Sequence, residues 1–243
     1  MRKQQKIISK KDNIDEESSC YMKTYMFIKE YAAVKGLKQT GIALVLARKL
    51  HTGQYRNGGV PFLVHPLNVC SMLISYGIED DVILAAALLH DILEDCRDQL
   101  PKNEQEIITE YRLSQEVFDI ISLLTKESGL NQEELSVYFG RIQANPKGAL
   151  IKLSDRFHNL STLYTFSFDR MKKYIDETNT FLIPMAGFCR DFYPEYRNAF
   201  SILENSIYSM NHSMEIMMLK CRELAFQLQK SKSAEEGKHK DGK

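Results

Sequence analysis

The segment 87–96, ALLHDILEDC, places a histidine and three carboxylates within six residues: His90, Asp91, Glu94 and Asp95. The residues that precede His90, DVILAAALL, are apolar after the first residue and are typical of a buried helix. Burying unpaired carboxylates is energetically costly, whereas a divalent cation converts their repulsion into coordination. The sequence therefore predicts a metal site at this point, with His90 and Asp91 as ligands.

Residues four apart share a face of a helix. If segment 79–95 is a single helix, His90 lies above Glu94, and Asp91 lies above Asp95. His90 and Asp91 are then about 100° apart around the axis and reach the same ion only at the edge of the helix. One helix cannot complete the coordination shell, so other elements must supply further ligands.

Two further polar residues stand in apolar surroundings. His65 lies in FLVHPL and Asp155 in ALIKLSDRFHNL. With His90 and Asp91 they make a set of two imidazoles and two carboxylates. Such a mixed nitrogen and oxygen set suits manganese or iron, with zinc less favoured, and leaves positions for water and substrate.

The elements that position these residues have helical patterns almost throughout, so the predicted fold class is all-α. The conspicuous irregular segment is 51–66, HTGQYRNGGVPFLVHP, whose glycines and prolines indicate a loop that leads into the helix carrying His65. We expect residues 1–18 to be disordered, 19–200 to form the metal-binding domain, and 201–243 to form an amphipathic helix with a charged tail.

Composition restricts the class of protein. The 243 residues suit one compact domain or two small ones, and Lys+Arg and Asp+Glu balance at 32 each, so no net charge indicates a nucleic-acid or membrane partner. No apolar run approaches the roughly 20 residues that span a bilayer. The five cysteines have no CxxC spacing, which favours a reducing cytoplasm over a disulfide framework. A homo-oligomer stays possible.

Three segments, GQYRNGGVPFLVHP, AAALLHDILED and IKLSDRFHNLSTL, resemble the HD metal-phosphohydrolase superfamily, whose signature is H…HD…D. Within it they are most similar to the hydrolase domain of the RelA/SpoT alarmone enzymes and their single-domain relatives. The resemblance covers roughly residues 47–163 and implies an all-α HD fold with a central metal site. It also implies removal of pyrophosphate from the 3′ position of (p)ppGpp, usually with Mn²⁺. The donor set leaves Fe²⁺ or Zn²⁺ as the alternatives.

The resemblance also assigns roles to single residues. Glu94 and Asp95 match the acidic pair that positions or deprotonates the attacking water. Arg56 matches an arginine that packs on the guanine base, while Asn159 and Thr162 match residues that line the nucleotide pocket. The metal ligands that it implies are His65, His90, Asp91 and Asp155.

Two positions depart from the family pattern. Asn57 and Ser161 stand where the family usually has basic residues near the phosphates. Other cations have to compensate, the candidates being Lys126, Arg141, Lys152 and Arg156. Two alternatives therefore stay open: hydrolysis of another phosphorylated nucleotide, such as NADPH or a nucleoside monophosphate, and a sensor that binds an alarmone without turnover. His158 is interpreted as a residue beside the site or a packing residue, rather than a fifth ligand.

Overall fold

The computed structural model of the chain describes residues 10–56 and 59–240, with side chains described between residues 21 and 230. Within these residues the chain is helical, and the one isolated β-bridge joins Tyr55 to Pro61. The predicted all-α fold is confirmed. The α-helices are α1 (Lys10–Lys35), α2 (Lys38–Leu50), α3 (Val64–Ser75), α4 (Asp81–Leu89), α5 (Ile92–Asp95), α6 (Glu104–Tyr111), α7 (Gln115–Leu124), α8 (Gln132–Gln143), α9 (Pro146–Ser161), α10 (Phe168–Glu177), α11 (Ile183–Phe192) and α12 (Arg197–Lys240).

Helix α4 is the centre of the core. Residues 83–89 are all buried, and the helix packs against α2, α3, α7 and α9. Its start is fixed by Asp80, whose carboxylate accepts hydrogen bonds from the backbone N–H groups of Val82 and Ile83. Because a helix that is apolar all round must be covered on every side, its neighbours form a shell around it.

The helix starts follow the local sequence. Asn131 forms a capping box with Glu134 at the start of α8, and Asn145 caps α9, which has Pro146 in its first turn. Gly36 and Gly77 follow the ends of α1 and α3 with φ of 71° and 86°, a left-handed conformation that favours glycine. The cap at Asn145 thus sets the start of α9, and Gly77 follows the end of α3; these two helices carry Asp155 and His65.

The structure differs from the expected division of the chain at both ends. Helix α1 begins at Lys10, inside the segment expected to be disordered, whereas residues 1–9 lie outside the described residues. The charged residues of 10–18 include Lys and Glu, which are good helix formers. Helix α12 runs through the expected boundary at residue 200, because Phe200, Leu203 and Ile207 are buried against the preceding helices.

Helix α10 is joined to α9 by charge. The Glu177 carboxylate pairs with the Arg156 guanidinium and accepts a hydrogen bond of 2.7 Å from Lys126 Nζ. The side chains of Glu177 and Arg156 are only 10% and 5% exposed, so the pair is poorly screened by solvent. One carboxylate thus connects the helix that carries Asp155 with α10 and with the segment after α7.

Replacing Glu177 with Gln leaves Arg156 buried without its partner. We expect the free energy of unfolding at pH 7 to fall by about 3 kcal/mol, measured by urea denaturation. The control is Asp176→Asn on the same helix, which breaks a pair with Lys172 whose partners are 57% and 54% exposed and costs about 1 kcal/mol or less. Equal losses in the two variants would contradict this role of Glu177.

The loss should also depend on pH. Burial favours the neutral acid, but Arg156 and Lys126 outweigh it and lower the pKa of Glu177. A lowered folded-state pKa adds stability above the unfolded value of about 4.3, and this stability disappears as the pH falls through the folded value. The difference between wild type and Glu177→Gln should therefore shrink between pH 7 and about pH 3. A constant difference would show that the charge of Glu177 does not matter.

Candidate active site

The four predicted ligands converge although they come from three parts of the chain. His65 lies in the first turn of α3, His90 and Asp91 form the turn between α4 and α5, and Asp155 lies in the middle of α9. The packing of α4 against both α3 and α9 brings these segments together. His65, His90 and Asp155 are buried, and the Asp91 side chain is 20% exposed towards a cavity.

The distances between the four side chains are short. His65 Nε2 lies 3.1 Å from His90 Nε2, 3.1 Å from Asp155 Oδ1 and 3.5 Å from Asp91 Oδ2. His90 Nε2 lies 3.2 Å from Asp91 Oδ1 and 3.8 Å from Asp155 Oδ1. Two imidazole nitrogens and two carboxylates therefore face one point.

The turn that carries His90 and Asp91 corrects the expectation of a single helix over 79–95. Helix α4 ends at Leu89 and α5 begins at Ile92. At the end of α4, the His90 side chain forms a hydrogen bond of 2.8 Å from Nδ1 to the backbone carbonyl of Ala87. The interruption turns both His90 and Asp91 towards α3 and α9. In a straight helix the two side chains would diverge by about 100° and could reach one ion only at the edge of the helix.

The same hydrogen bond fixes the orientation of His90. Its Nδ1 donates a proton to the Ala87 carbonyl, so Nε2 is the nitrogen that faces the cluster. Metal-binding histidines are commonly held in this way, with one ring nitrogen on a carbonyl and the other on the ion. His90 thus directs Nε2 towards the other predicted ligands.

The electrostatics of the cluster favour a cation. Burial lowers the pKa of His90, but the carboxylates of Asp91 and Asp155 outweigh it and raise the pKa to about 9. Burial raises the pKa of Asp91 to about 6. Burial also acts to raise the pKa of Asp155, but the Lys152 ammonium and the two imidazoles hold it well below its usual range. The site therefore attracts positive charge, which a divalent ion supplies.

Donor type and geometry both fit a divalent metal. The His65, His90 and Asp91 donor atoms all lie within 4.8 Å of one another. Asp155 joins them through the contacts of Oδ1 with both imidazoles. A set of two nitrogen and two oxygen donors suits a first-row divalent metal and leaves coordination positions for water and substrate.

The predicted catalytic pair lies at the edge of this cluster. Glu94 and Asp95 belong to α5, and both line the cavity above the ligands. The Glu94 carboxylate accepts a hydrogen bond of 2.6 Å from the backbone N–H of Lys126, which fixes its position. Burial raises the pKa of Asp95, against the opposing effect of Arg56. Both carboxylates are thus placed beside a cavity that a substrate can enter.

The cavity has a volume of about 1130 Å³, which is large enough for a nucleotide. Arg56, Asn159 and Thr162, the three residues that the resemblance assigns to the substrate, all line it. Arg56 Nη2 donates a hydrogen bond of 2.8 Å to Asn159 Oδ1, and Asn159 Nδ2 donates to Asp155 Oδ1. Asn159 therefore links the loop arginine to a predicted metal ligand.

Thr162 and Ser161 are committed to their own helix. The Thr162 hydroxyl donates to the carbonyls of His158 and Asn159 at 3.4 and 3.3 Å, and the Ser161 hydroxyl donates to the His158 carbonyl at 2.7 Å. Both residues line the cavity. Asn57, the other departure from the family pattern, lies outside the described residues.

The cations around the cavity differ from those expected. Arg141 lies in a different surface depression and does not face the cluster. Lys126, Lys152 and Arg156 do line the cavity, but each is paired with Glu177 or Asp155.

Two lining cations, Arg170 and Lys173 of α10, were not predicted, and neither forms an ion pair with a described residue. Arg170 instead lies over the Phe166 ring, 4.0 Å from its centroid. No local motif marks these two residues, because only the packing of α10 over α9 brings them to the cavity.

Comparison with known proteins agrees with this geometry. A family model described as HD domain matches residues 43–187, which span every predicted site residue. The chain belongs to the HD-domain family. The predicted resemblance is confirmed, and the HD domain implies a divalent metal in the His/Asp cluster.

Two curated proteins show the similarity of this HD domain at the level of sequence. Both are named guanosine-3′,5′-bis(diphosphate) 3′-pyrophosphohydrolase. The one from Haemophilus influenzae is 32% identical over 148 residues, which are 58% of this chain and 21% of the relative. The one from Aquifex aeolicus is 35% identical over 149 residues, which are 59% of this chain and 20% of the relative. The similarity thus spans about a fifth of each relative.

A solved structure shares the fold. It is described as a metazoan orthologue of SpoT that hydrolyses ppGpp and plays a role in starvation responses. The TM-score is 0.57 at 22% sequence identity, and the match covers 72% of this chain and 95% of the other.

Among the described residues, no helix of the HD-domain chain combines the length and apolarity needed to cross a membrane.

We expect one divalent ion per chain, bound by the four converging side chains. Asp91→Ala and Asp155→Ala each remove an oxygen donor and should reduce the bound metal to background, measured by elemental analysis after dialysis. Asp119→Ala, which changes an exposed aspartate of α7, is the control and should keep the metal. A normal metal content in the Asp155 variant would remove that residue from the site.

Proposed function

We propose that this HD domain is a metal-dependent nucleotide phosphohydrolase, with the 3′-diphosphate of (p)ppGpp as its leading substrate and manganese as its working ion. The observation that carries the proposal is the joint position of the His/Asp cluster and the Glu94–Asp95 pair at the base of one large cavity. The names of the curated relatives support the choice of substrate.

Each part of the site has a function in such a hydrolysis. His65, His90, Asp91 and Asp155 would hold a divalent ion, which when bound would supply Lewis-acid chemistry by lowering the pKa of a water and polarising a phosphoryl oxygen. In this proposal Glu94, which is held by the Lys126 backbone, orients that water, and Asp95 beside it accepts the proton. The water oxygen attacks phosphorus, the bond between phosphorus and the ribose 3′ oxygen breaks, and that oxygen takes up a proton.

The walls of the cavity supply the remaining requirements. Negative charge builds on the phosphoryl oxygens, and Lys152, whose Nζ lies 3.1 Å from Asp155 Oδ2, and Arg156 are cations that line the cavity. Arg56, in the loop before α3, lies 5.4 Å from the centroid of the Phe62 ring, and its planar guanidinium is the group that we propose stacks on a purine. Arg170 and Lys173 offer positive charge for a second phosphate group.

Glu94→Gln and Asp95→Asn keep the size of each side chain but remove the base. We expect at least one variant to keep its metal and to lose about 10²-fold or more in kcat. Asp98→Asn, in the turn that follows α5, is an exposed control expected to keep full activity. Turnover near the wild-type rate in both site variants would show that neither carboxylate serves as the base.

Arg56→Ala should raise KM for a purine nucleotide by about two- to thirtyfold, because stacking of a guanidinium on a ring contributes about 0.5–2 kcal/mol. Metal binding should be unchanged. Arg56→Lys keeps the charge but not the planar group, so we expect it to recover only part of the loss. An unchanged KM in the alanine variant would place Arg56 outside the base-binding site.

A substrate panel tests the proposal against the alternatives. The protein is incubated with Mn²⁺ and with ppGpp, GTP, NADPH or dGMP, and the products are separated by chromatography. Asp155→Ala, purified in parallel, is the control for contaminating hydrolases. Release of pyrophosphate from ppGpp is the expected result. Faster hydrolysis of NADPH or dGMP would identify a different nucleotide substrate, whereas binding of ppGpp without any product would identify a sensor.

A further inference from the structure

Two further side chains, those of Asn68 and His158, extend the metal cluster from His65, and both also line the cavity. His65 Nδ1 lies 2.8 Å from His158 Nδ1, and His158 Nε2 lies 3.1 Å from the amide nitrogen Nδ2 of Asn68. The other ring nitrogen of His65, Nε2, is directed at the cluster. Asn68, His158 and His65 thus form one hydrogen-bonded chain that ends at a ligand atom.

The helices place this chain by simple spacing. Asn68 follows His65 by three residues on α3, and His158 follows Asp155 by three residues on α9. Residues three apart lie on the same face of a helix, so each ligand has one of the two additional residues beside it, one turn further along. The contact of α3 with α9 then brings Asn68 and His158 together.

We propose that His158 and Asn68 are positioning residues which keep the His65 proton on Nδ1 and thereby leave Nε2 free to bind the metal. A neutral imidazole carries one proton, and only its unprotonated nitrogen coordinates a metal. For His65 Nε2 to be that nitrogen, Nδ1 must carry the proton and needs an acceptor at hydrogen-bond distance. In the chain described above, that acceptor is His158 Nδ1.

His158 is suited to accept this proton. Its ring is half-buried and stands between two helices, so its position is fixed by packing. When Nδ1 accepts, Nε2 carries the proton and itself needs an acceptor. Asn68 meets that need because its amide has both an oxygen and an NH₂ group, and a half-turn of the amide presents the oxygen to His158. Each partner in the chain then has its hydrogen bond satisfied.

The inference rests on the metal site of the proposed function, and it differs from a packing role in a measurable way. Asn and Leu have nearly the same shape, but the Asn side-chain oxygen occupies roughly the place of His Nδ1 and can accept the His65 proton. His158→Asn and His158→Leu therefore leave similar space and differ in the acceptor. If His158 only fills volume, the two variants should behave alike.

The test is the dissociation constant for Mn²⁺, measured by titration calorimetry on the whole metal-stripped chain. We expect His158→Leu to bind Mn²⁺ about tenfold or more weakly than wild type, since loss of such partners costs about 10–100-fold in affinity. His158→Asn should stay within about threefold of wild type. Equal affinities in the two variants would overturn the proposal, even though metal binding itself persisted.

Asn68 gives an independent check. Asn68→Leu should weaken Mn²⁺ binding in the wild-type background but have no further effect when His158 is already Leu, because Asn68 acts only through His158. Additive losses would contradict the chain. Thermal unfolding of each metal-free variant establishes that it folds.

A measurement on the unmodified chain covers the case in which a variant fails to fold. In protein loaded with diamagnetic Zn²⁺, nitrogen-15 spectra of the histidine rings should show the His65 proton on Nδ1 and the His158 proton on Nε2. A protonated His158 Nδ1 would overturn the proposal. If the wild-type chain binds neither Mn²⁺ nor Zn²⁺, the ligand set fails and the proposed function fails with it, which is a different result from equal His158 variants.

Discussion

The constraint on which the structure depends is the meeting of two carboxylates and two imidazoles in a largely buried place. Like charges inside a protein are tolerated only when a cation or a set of hydrogen bonds compensates them. In this HD domain the compensation comes in part from Lys152 beside Asp155 and from the raised pKa of His90. A divalent ion supplies two positive charges at the same point, which makes the cluster a binding site rather than a defect in the core.

The surrounding helices serve this constraint. The apolar helix α4 brings His90 to the centre of the molecule, and its end at Leu89 turns His90 and Asp91 towards His65 and Asp155. Because the Ala87 carbonyl accepts a hydrogen bond from His90 Nδ1, Nε2 stays directed at the cluster. Residues of α5, of the loop before α3 and of α10 line the cavity beside the cluster.

The sequence was informative where a local pattern determines the structure. Apolar periodicity predicted the helices, and three short motifs predicted the HD family. The break at His90 was missed, since an apolar run followed by charged residues is compatible with one continuous helix. Arg170 and Lys173 were also missed, because their position depends on how α10 packs and not on any neighbouring residue.

The most direct test of the account is the position of the metal. A crystal of the chain grown with Mn²⁺ should show one anomalous peak about 2 Å from His65 Nε2, His90 Nε2 and a carboxylate oxygen of both Asp91 and Asp155. A peak that omits either imidazole, or the absence of a peak at the cluster while Mn²⁺ binds elsewhere on the chain, would contradict the central claim.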